Sequence, residues 1–217
     1  MTTRLAVFDC DGTLVDGQAA VCEAMDTAFA AHGLPAPDRH LVRRSVGLSL
    51  PQAVRALVPD ADEELRQGID LAYRHAFRTA REAGQLVEPL YAGVRELLDA
   101  LRDDGWLLGV ATGKSDRGLE HCLATHGLSR HFVTLQTADR HPSKPHPAML
   151  DAALFEAGAL PQHAVMIGDT AYDMVMAVNA RVRALGVDWG YHTPDELAEA
   201  GAEAVARDPR HLLELLS

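Results

Sequence analysis

Short apolar runs recur along the chain at residues 5–9 (LAVFD), 107–112 (LLGVAT), 132–136 (FVTLQ), 164–169 (AVMIGD) and 182–187 (VRALGV). Continuous apolar stretches of this length predict strands buried on both faces. Between them lie segments whose apolar positions recur with helical period. In residues 93–105 (GVRELLDALRDDG), Leu97, Leu98 and Leu101 share one face. Residues 116–128 and 146–160 have the same character, and a glycine suited to a helix stop closes or interrupts each. Alternation of this kind predicts an α/β fold, a parallel sheet with helices on both faces and ligand-binding groups beyond the carboxyl ends of its strands. Residues 17–87 break the pattern. They contain no strand-like run, only helical segments at 19–33, 51–59 and 62–84. The expected organisation is a core of residues 1–16 and 88–217 interrupted by an all-helical insertion, 17–87.

The strand ends carry the chemistry. Residues 9–13 read DCDGT, 112–115 TGKS, 143–145 SKP and 168–173 GDTAYD. In a parallel sheet these clusters converge on one edge. Asp9 and Asp11 would point the same way if the first strand continued through them, because side chains alternate along a strand. Two like charges so placed repel and are costly to bury. A cation resolves the conflict: Asp9, Asp169 and Asp173 would form an oxygen-rich anionic site suited to Mg²⁺. Asp9 is also a potential nucleophile, since carboxylates form acyl phosphates. Asp11 suits a general acid and base. Gly12 permits a tight turn. Thr112 and the amides around Gly113 can donate to phosphoryl oxygens, and Lys144 adds a fixed positive charge where transfer depends on charge neutralisation.

Composition narrows the function. The 217 residues are 47% hydrophobic, enough for a sizeable core, and the formal net charge of −11 argues against nucleic acid as a partner. Cys10, Cys22 and Cys122 show neither disulfide nor zinc spacing and read as reduced thiols. No leader pattern and no apolar run of membrane-spanning length is visible, so a cytoplasmic protein without a membrane partner is expected. Lys114 and Lys144 are the only lysines among 20 basic residues.

The segments DCDGTLVD, ATGKS, SKPHP and GDTAYDM resemble, in order, the four motifs of the haloacid dehalogenase superfamily, over residues 4 to about 190. The insertion resembles the cap of its C1-type members, and LQTADRHPSKPHP and GVDWGYH resemble the phosphoglycolate phosphatase-like branch. The resemblance implies a Rossmann-like core, Mg²⁺ dependence and a phospho-aspartate intermediate, with a small phosphorylated metabolite as substrate. It implies Asp9 as nucleophile, Asp11 as acid/base and, through its backbone carbonyl, a metal ligand, Thr112 and Lys144 as phosphate ligands, Asp169 as a metal ligand and Asp173 as its direct or water-mediated support. Where relatives carry a glycine after MAVNA this chain has Arg181, and Asn179 is expected to take the left-handed position instead.

Other chemistries of the superfamily fit less well. Dehalogenases lack the second aspartate of the first motif, which is present here as Asp11. Phosphonatases and the known β-phosphoglucomutases use a cap lysine, and residues 17–87 contain none. A sugar-phosphate mutase and a non-catalytic binding protein are the remaining alternatives to a phosphatase. Within the cap, Arg43 and Arg44 lie about 100° apart on a helix. One is expected to pair inside the cap while the other faces the site, where guanidinium matches a carboxylate on a small leaving group. Solvation of both is the competing expectation.

Overall fold

The computed structural model describes residues 3–217. Six parallel strands form one sheet: β1 (Leu5–Phe8), β2 (Leu107–Thr112), β3 (Thr134–Thr137), β4 (Ala164–Gly168), β5 (Arg183–Val187) and β6 (Ala204–Ala206), in the order β3-β2-β1-β4-β5-β6. β1 lies between β2 and β4, with Leu5 opposite both Leu107 and Ala164. The chain runs outward from β1 in one direction, then returns to its other side. The crevice beyond the carboxyl ends of β1, β2 and β4 is therefore where the sheet opens to a ligand.

Strand periodicity divides the core. Ala6 and Phe8 face one apolar cluster, with Leu98, Leu101, Leu119 and Leu212. These belong to α5 (Val94–Asp103), α6 (Asp116–Thr125) and α10 (Pro209–Leu216). Leu5 and Val7 face the other, with Met149, Leu150, Met174, Ala177 and Leu197. These lie on α7 (Ala148–Ala157), α8 (Ala171–Ala180) and α9 (Pro194–Glu199). A side chain on β1 is buried whichever way it points, which is why the strand reads as a continuous apolar run.

Between β1 and β2 stand four helices, α1 (Gln18–Ala31), α2 (Arg39–Arg44), α3 (Leu50–Leu57) and α4 (Glu63–Glu82). Their inner faces make a third cluster, with Met25, Phe29, Val42, Val54 and Ile69 at its centre. The two crossings between this unit and the sheet run side by side: Asp16 N–H donates to Pro89 O at 2.8 Å and Tyr91 N–H to Leu14 O at 3.1 Å. No helix among the described residues is long and apolar enough to cross a membrane.

The structure departs from the sequence expectations in several places. β6, α9 and α10 were not anticipated. β3 starts two residues later than the FVTLQ run. β1 stops at Phe8, so Asp9 and Asp11 lie beyond the strand and do not share its alternation. Arg181, not Asn179, takes the left-handed position, with φ 58°. Asn179 stays inside α8, and its side-chain amide donates to Pro145 O at 3.0 Å.

Beyond the hinge, the helical unit is tied to the sheet by Arg44. Its guanidinium contacts both oxygens of Glu196 on α9, at 2.7 and 3.1 Å. Beside it, buried His192 accepts the Ala171 N–H at Nδ1 and donates from Nε2 to Arg44 O, which fixes the neutral tautomer. Burial holds this imidazole below its ordinary pKa. The Glu196 carboxyl is held down at about 2 by the Arg44 hydrogen bond and by the Thr193 N–H. A carboxylate depressed on folding adds stability that is complete above its unfolded value of about 4.3 and fades as pH falls through the folded one. Arg44→Ala should therefore lower the melting temperature at pH 6 in low salt, with the gap to the parent protein narrowing below about pH 4.3. An equal gap at pH 6 and pH 3 would contradict this account of the tie.

Candidate active site

The first strand delivers Asp9 to the edge of the sheet. Asp9 N–H still pairs with Ile167 O of β4 at 2.9 Å; the chain then leaves the ladder in a turn closed by Gly12 N–H to Val15 O. Gly12 has φ 82°, and a β-carbon there would lie 2.1 Å from Asp169 Oδ2. Only glycine meets both demands. β4 ends one residue before Asp169. The start of α8 places Asp173, whose Oδ2 accepts the Thr170 N–H at 3.1 Å and hydroxyl at 2.7 Å in a reciprocal cap.

Asp9, Asp169 and Asp173 are all fully buried, each with an oxygen within 4.8 Å of the others'. Lys144 lies among them, its Nζ 2.6 Å from Asp173 Oδ1 and 3.0 Å from Asp9 Oδ1. Asp169 accepts the Thr13 hydroxyl at 2.8 Å and the Tyr191 N–H at 3.0 Å. One ammonium does not balance three carboxylates. Burial, partly opposed by Lys144, raises the Asp9 carboxyl to about 7. Burial and the charges of Asp9 and Asp173 push Asp169 well above the ordinary carboxylate range. Burial alone would depress the Lys144 ammonium, but Asp173 and Asp9 raise it above its usual value. Asp9 Oδ2 is buried with no hydrogen-bond partner among the described residues. An unpaired buried carboxylate oxygen beside two further carboxylates is a donor set for a hard divalent cation, and Mg²⁺ fits it.

Asp11 turns elsewhere. Its Oδ1 lies 2.9 Å from Lys114 Nζ, which also pairs with Glu88 Oε1 at 2.6 Å. The Asp11–Lys114 contact is an ion pair outside hydrogen-bonding geometry, and Oδ1 makes no hydrogen bond. Burial raises the Asp11 carboxyl, against the pull of Lys114. The two aspartates are thus separated by the turn, each with one of the chain's two lysines. The Asp11 side chain does not join the three-carboxylate cluster.

Thr112 ends β2 buried, its hydroxyl accepting the Lys114 N–H at 3.2 Å, which leaves the hydroxyl proton for a ligand. Gly113 is a point of close approach: a β-carbon would meet Leu48 O of the helical unit at 2.3 Å. Ser49 N–H donates to the Ser143 hydroxyl at 2.8 Å, so residues 47–49 are seated on the sheet edge. Under this loop lies a cavity of about 400 Å³, lined on the sheet side by Asp9, Asp11, Thr112, Gly113 and Lys114. Lys144, Asp169 and Asp173 stand behind this wall.

Arg43 and Arg44 do not line the cavity. Arg43 is exposed, and Arg44 is held by Glu196 across the interface, so the expected pairing inside the cap and the expected recognition role both give way to a tie between the helices and the sheet. The helical wall is supplied by α4, with Tyr73, Arg74, Phe77, Arg78 and Arg81, and by Met25 and Val46. Sequence reasoning passed over these residues. It also passed over Lys114, whose rarity was a signal, and over Glu88, for which the sequence carried no signal. Trp189 donates from its indole nitrogen to Thr13 O at 3.1 Å. Cys10, Cys22 and Cys122 are buried free thiols, with Cys10 and Cys122 sulfurs 3.8 Å apart.

Comparison with known proteins places the chain in a family. Residues 6–187 match the model of the haloacid dehalogenase-like hydrolase family. The chain is 36% identical over 207 residues to the probable phosphatase IndB of Dickeya dadantii, covering 93% of this chain and 88% of that protein. It is 28% identical to a phosphoglycolate phosphatase of Vibrio parahaemolyticus, over 99% of this chain and 96% of the relative. Among solved structures, a hydrolase from Pseudomonas syringae superposes with a TM-score of 0.86 at 25% identity, over 99% and 98% of the two chains. A haloacid dehalogenase-like family protein from Streptococcus pneumoniae shares the fold with a TM-score of 0.86 at 22% identity, over 99% of each chain. With its family model spanning the first five strands, the helices between them and the carboxylate cluster, the chain belongs to the haloacid dehalogenase-like hydrolases.

Proposed function

We propose that the protein is a phosphatase that hydrolyses a small phosphate monoester through a phospho-aspartate at Asp9. The observation that carries this reading is the buried, unpartnered Oδ2 of Asp9, on a residue that lines the cavity, with Asp11 two residues away on the same wall. The names of the relatives, a probable phosphatase and phosphoglycolate phosphatases, point to the same reaction class.

In the first step a carboxylate oxygen of Asp9 forms a bond to phosphorus. The bond to the ester oxygen breaks, and Asp11 gives its proton to the departing alkoxide. In the second step Asp11, now ionised, takes a proton from water. The water oxygen attacks phosphorus, the phosphorus–oxygen bond to Asp9 breaks, and phosphate leaves with the carboxylate restored. Thr112 and the Gly113 amide donate to the phosphoryl oxygens. Lys144 offsets the charge of Asp9 and Asp173 from behind the wall. Asp9, Asp169 and Asp173, with the Asp11 carbonyl, would hold Mg²⁺, which would supply charge neutralisation for the transferring group. Burial raises the Asp11 carboxyl, the direction that favours the proton its first step delivers.

Two measurements test the reading. Calorimetry should show one Mg²⁺ bound per chain, with Asp169→Asn weakening it about tenfold or more, and EDTA abolishing turnover until Mg²⁺ is restored. Undiminished turnover in EDTA would overturn the metal assignment. Asp11→Asn should cost about 10²–10⁴-fold in kcat/KM, which reports the steps up to departure of the leaving group, on an alkyl phosphate. It should cost much less in kcat/KM on p-nitrophenyl phosphate, whose leaving group needs little protonation, while kcat falls on both because water attack also needs Asp11. Equal losses in kcat/KM on both would remove Asp11 from the acid role. Steady release of phosphate separates this reading from a mutase, which would isomerise a hexose phosphate without releasing any.

A further inference from the structure

Helix α4 turns two adjacent rows of side chains into the cavity. Tyr73 and Phe77 form one row, with ring centroids 5.0 Å apart, and Arg74, Arg78 and Arg81 form the other. The spacings of four and three residues keep each row on one line of the helix, and the rows lie about 100° apart. The aromatic row continues the apolar surface of Met25 and Val46. The basic row stands nearer to solvent, where Arg117 at the start of α6 joins it.

The charge on this row is only partly balanced. Arg74 is held by Asp70 at 2.5 Å and lies 3.9 Å from Asp139. Arg78 contacts the His75 ring at 3.0 Å. Among the described residues, Arg78, Arg81 and Arg117 form no ion pair with a carboxylate, in a chain whose formal net charge is −11. The phosphoryl group is accounted for at the sheet edge by Thr112, Gly113 and the carboxylate cluster. A two-carbon leaving group such as glycolate would fill little of a cavity of about 400 Å³ and would leave the aromatic row and the outer arginines without a partner.

We propose that the substrate is an elongated acid phosphate: its leaving group has a planar apolar segment, which lies on Tyr73 and Phe77, and ends in a carboxylate taken by Arg78 and Arg81. Burying the planar segment against the aromatic row supplies non-directional affinity. Guanidinium pairs with the terminal carboxylate in a two-pronged geometry, and that contact selects an acid over a neutral ester of the same shape. The proposal rests on the phosphatase reading of the site.

The test uses aryl phosphates matched in shape. For 4-carboxyphenyl phosphate and for the phosphate of 3-(4-hydroxyphenyl)propanoic acid, kcat/KM is compared with that of the corresponding carboxamide, and with that of phosphoglycolate. At least one acid should exceed its amide by about tenfold or more and should also exceed phosphoglycolate. In the Arg78→Gln/Arg81→Gln double variant the acid-to-amide ratio should fall toward one; a loss of folded enzyme cancels in this ratio. Equal rates for acid and amide at both lengths, a ratio unchanged in the double variant, or a preference for phosphoglycolate would overturn the proposal while leaving the phosphatase reading intact. Hydrolysis of none of these esters would overturn both.

Discussion

Five carboxylates are buried at one sheet edge, and the chain places its only two lysines among them. Asp9 and Asp173 share Lys144 with Asp169 close by, while Asp11 shares Lys114 with Glu88. Isolated buried charges are expensive, so this edge holds together only with its cations in place. The pairing leaves a deficit on the Asp9 side, where three acids face one ammonium, and that deficit suits the site to a divalent cation. On the Asp11 side two acids face one ammonium, and burial keeps the Asp11 carboxyl raised. The same device, applied unequally to two residues in one turn, gives Asp9 and Asp11 different surroundings, as the roles proposed for them require.

The helical unit matters to this edge in two ways. Its second crossing brings Glu88 to Lys114, so the environment of Asp11 is completed by the hinge itself. Its loop at residues 47–49 approaches Gly113 and Ser143 so closely that a β-carbon at Gly113 would collide with Leu48 O. The Arg44–Glu196 tie holds the far side. Enclosure of the cavity therefore follows from contacts made by backbone and hinge residues, and α4 is left to shape the space within.

Much of the sheet was legible because strands buried on both faces are apolar along nearly their whole length, as β1, β2, β4 and β5 are apart from Arg183 and Thr112 at their ends. β6 has only three residues at the sheet's margin, too short for any period to show. The direction of Asp11 was misread because the alternation rule holds only while the strand continues, and β1 ends at Phe8. Asn179 was chosen for the left-handed position on residue preference, yet its amide has a partner in Pro145 O and the helix runs on to Ala180. Arg43 and Arg44 attracted notice as an adjacent pair, but α2 has only six residues and its position against α9 depends on contacts between distant parts of the chain. The stripe on α4 was readable from its spacing alone; which way that stripe faced was not.

The central claim is that Asp9 forms a covalent bond to phosphorus. It is tested most directly by mixing excess enzyme with a ³²P-labelled phosphate ester, quenching in acid within the first turnover and mapping the label. The account predicts an acid-stable, hydroxylamine-labile phosphoryl group on the peptide that contains Asp9, absent from Asp9→Asn. Product release with no labelled peptide at any time in the first turnover, or label on a residue other than Asp9, would contradict it.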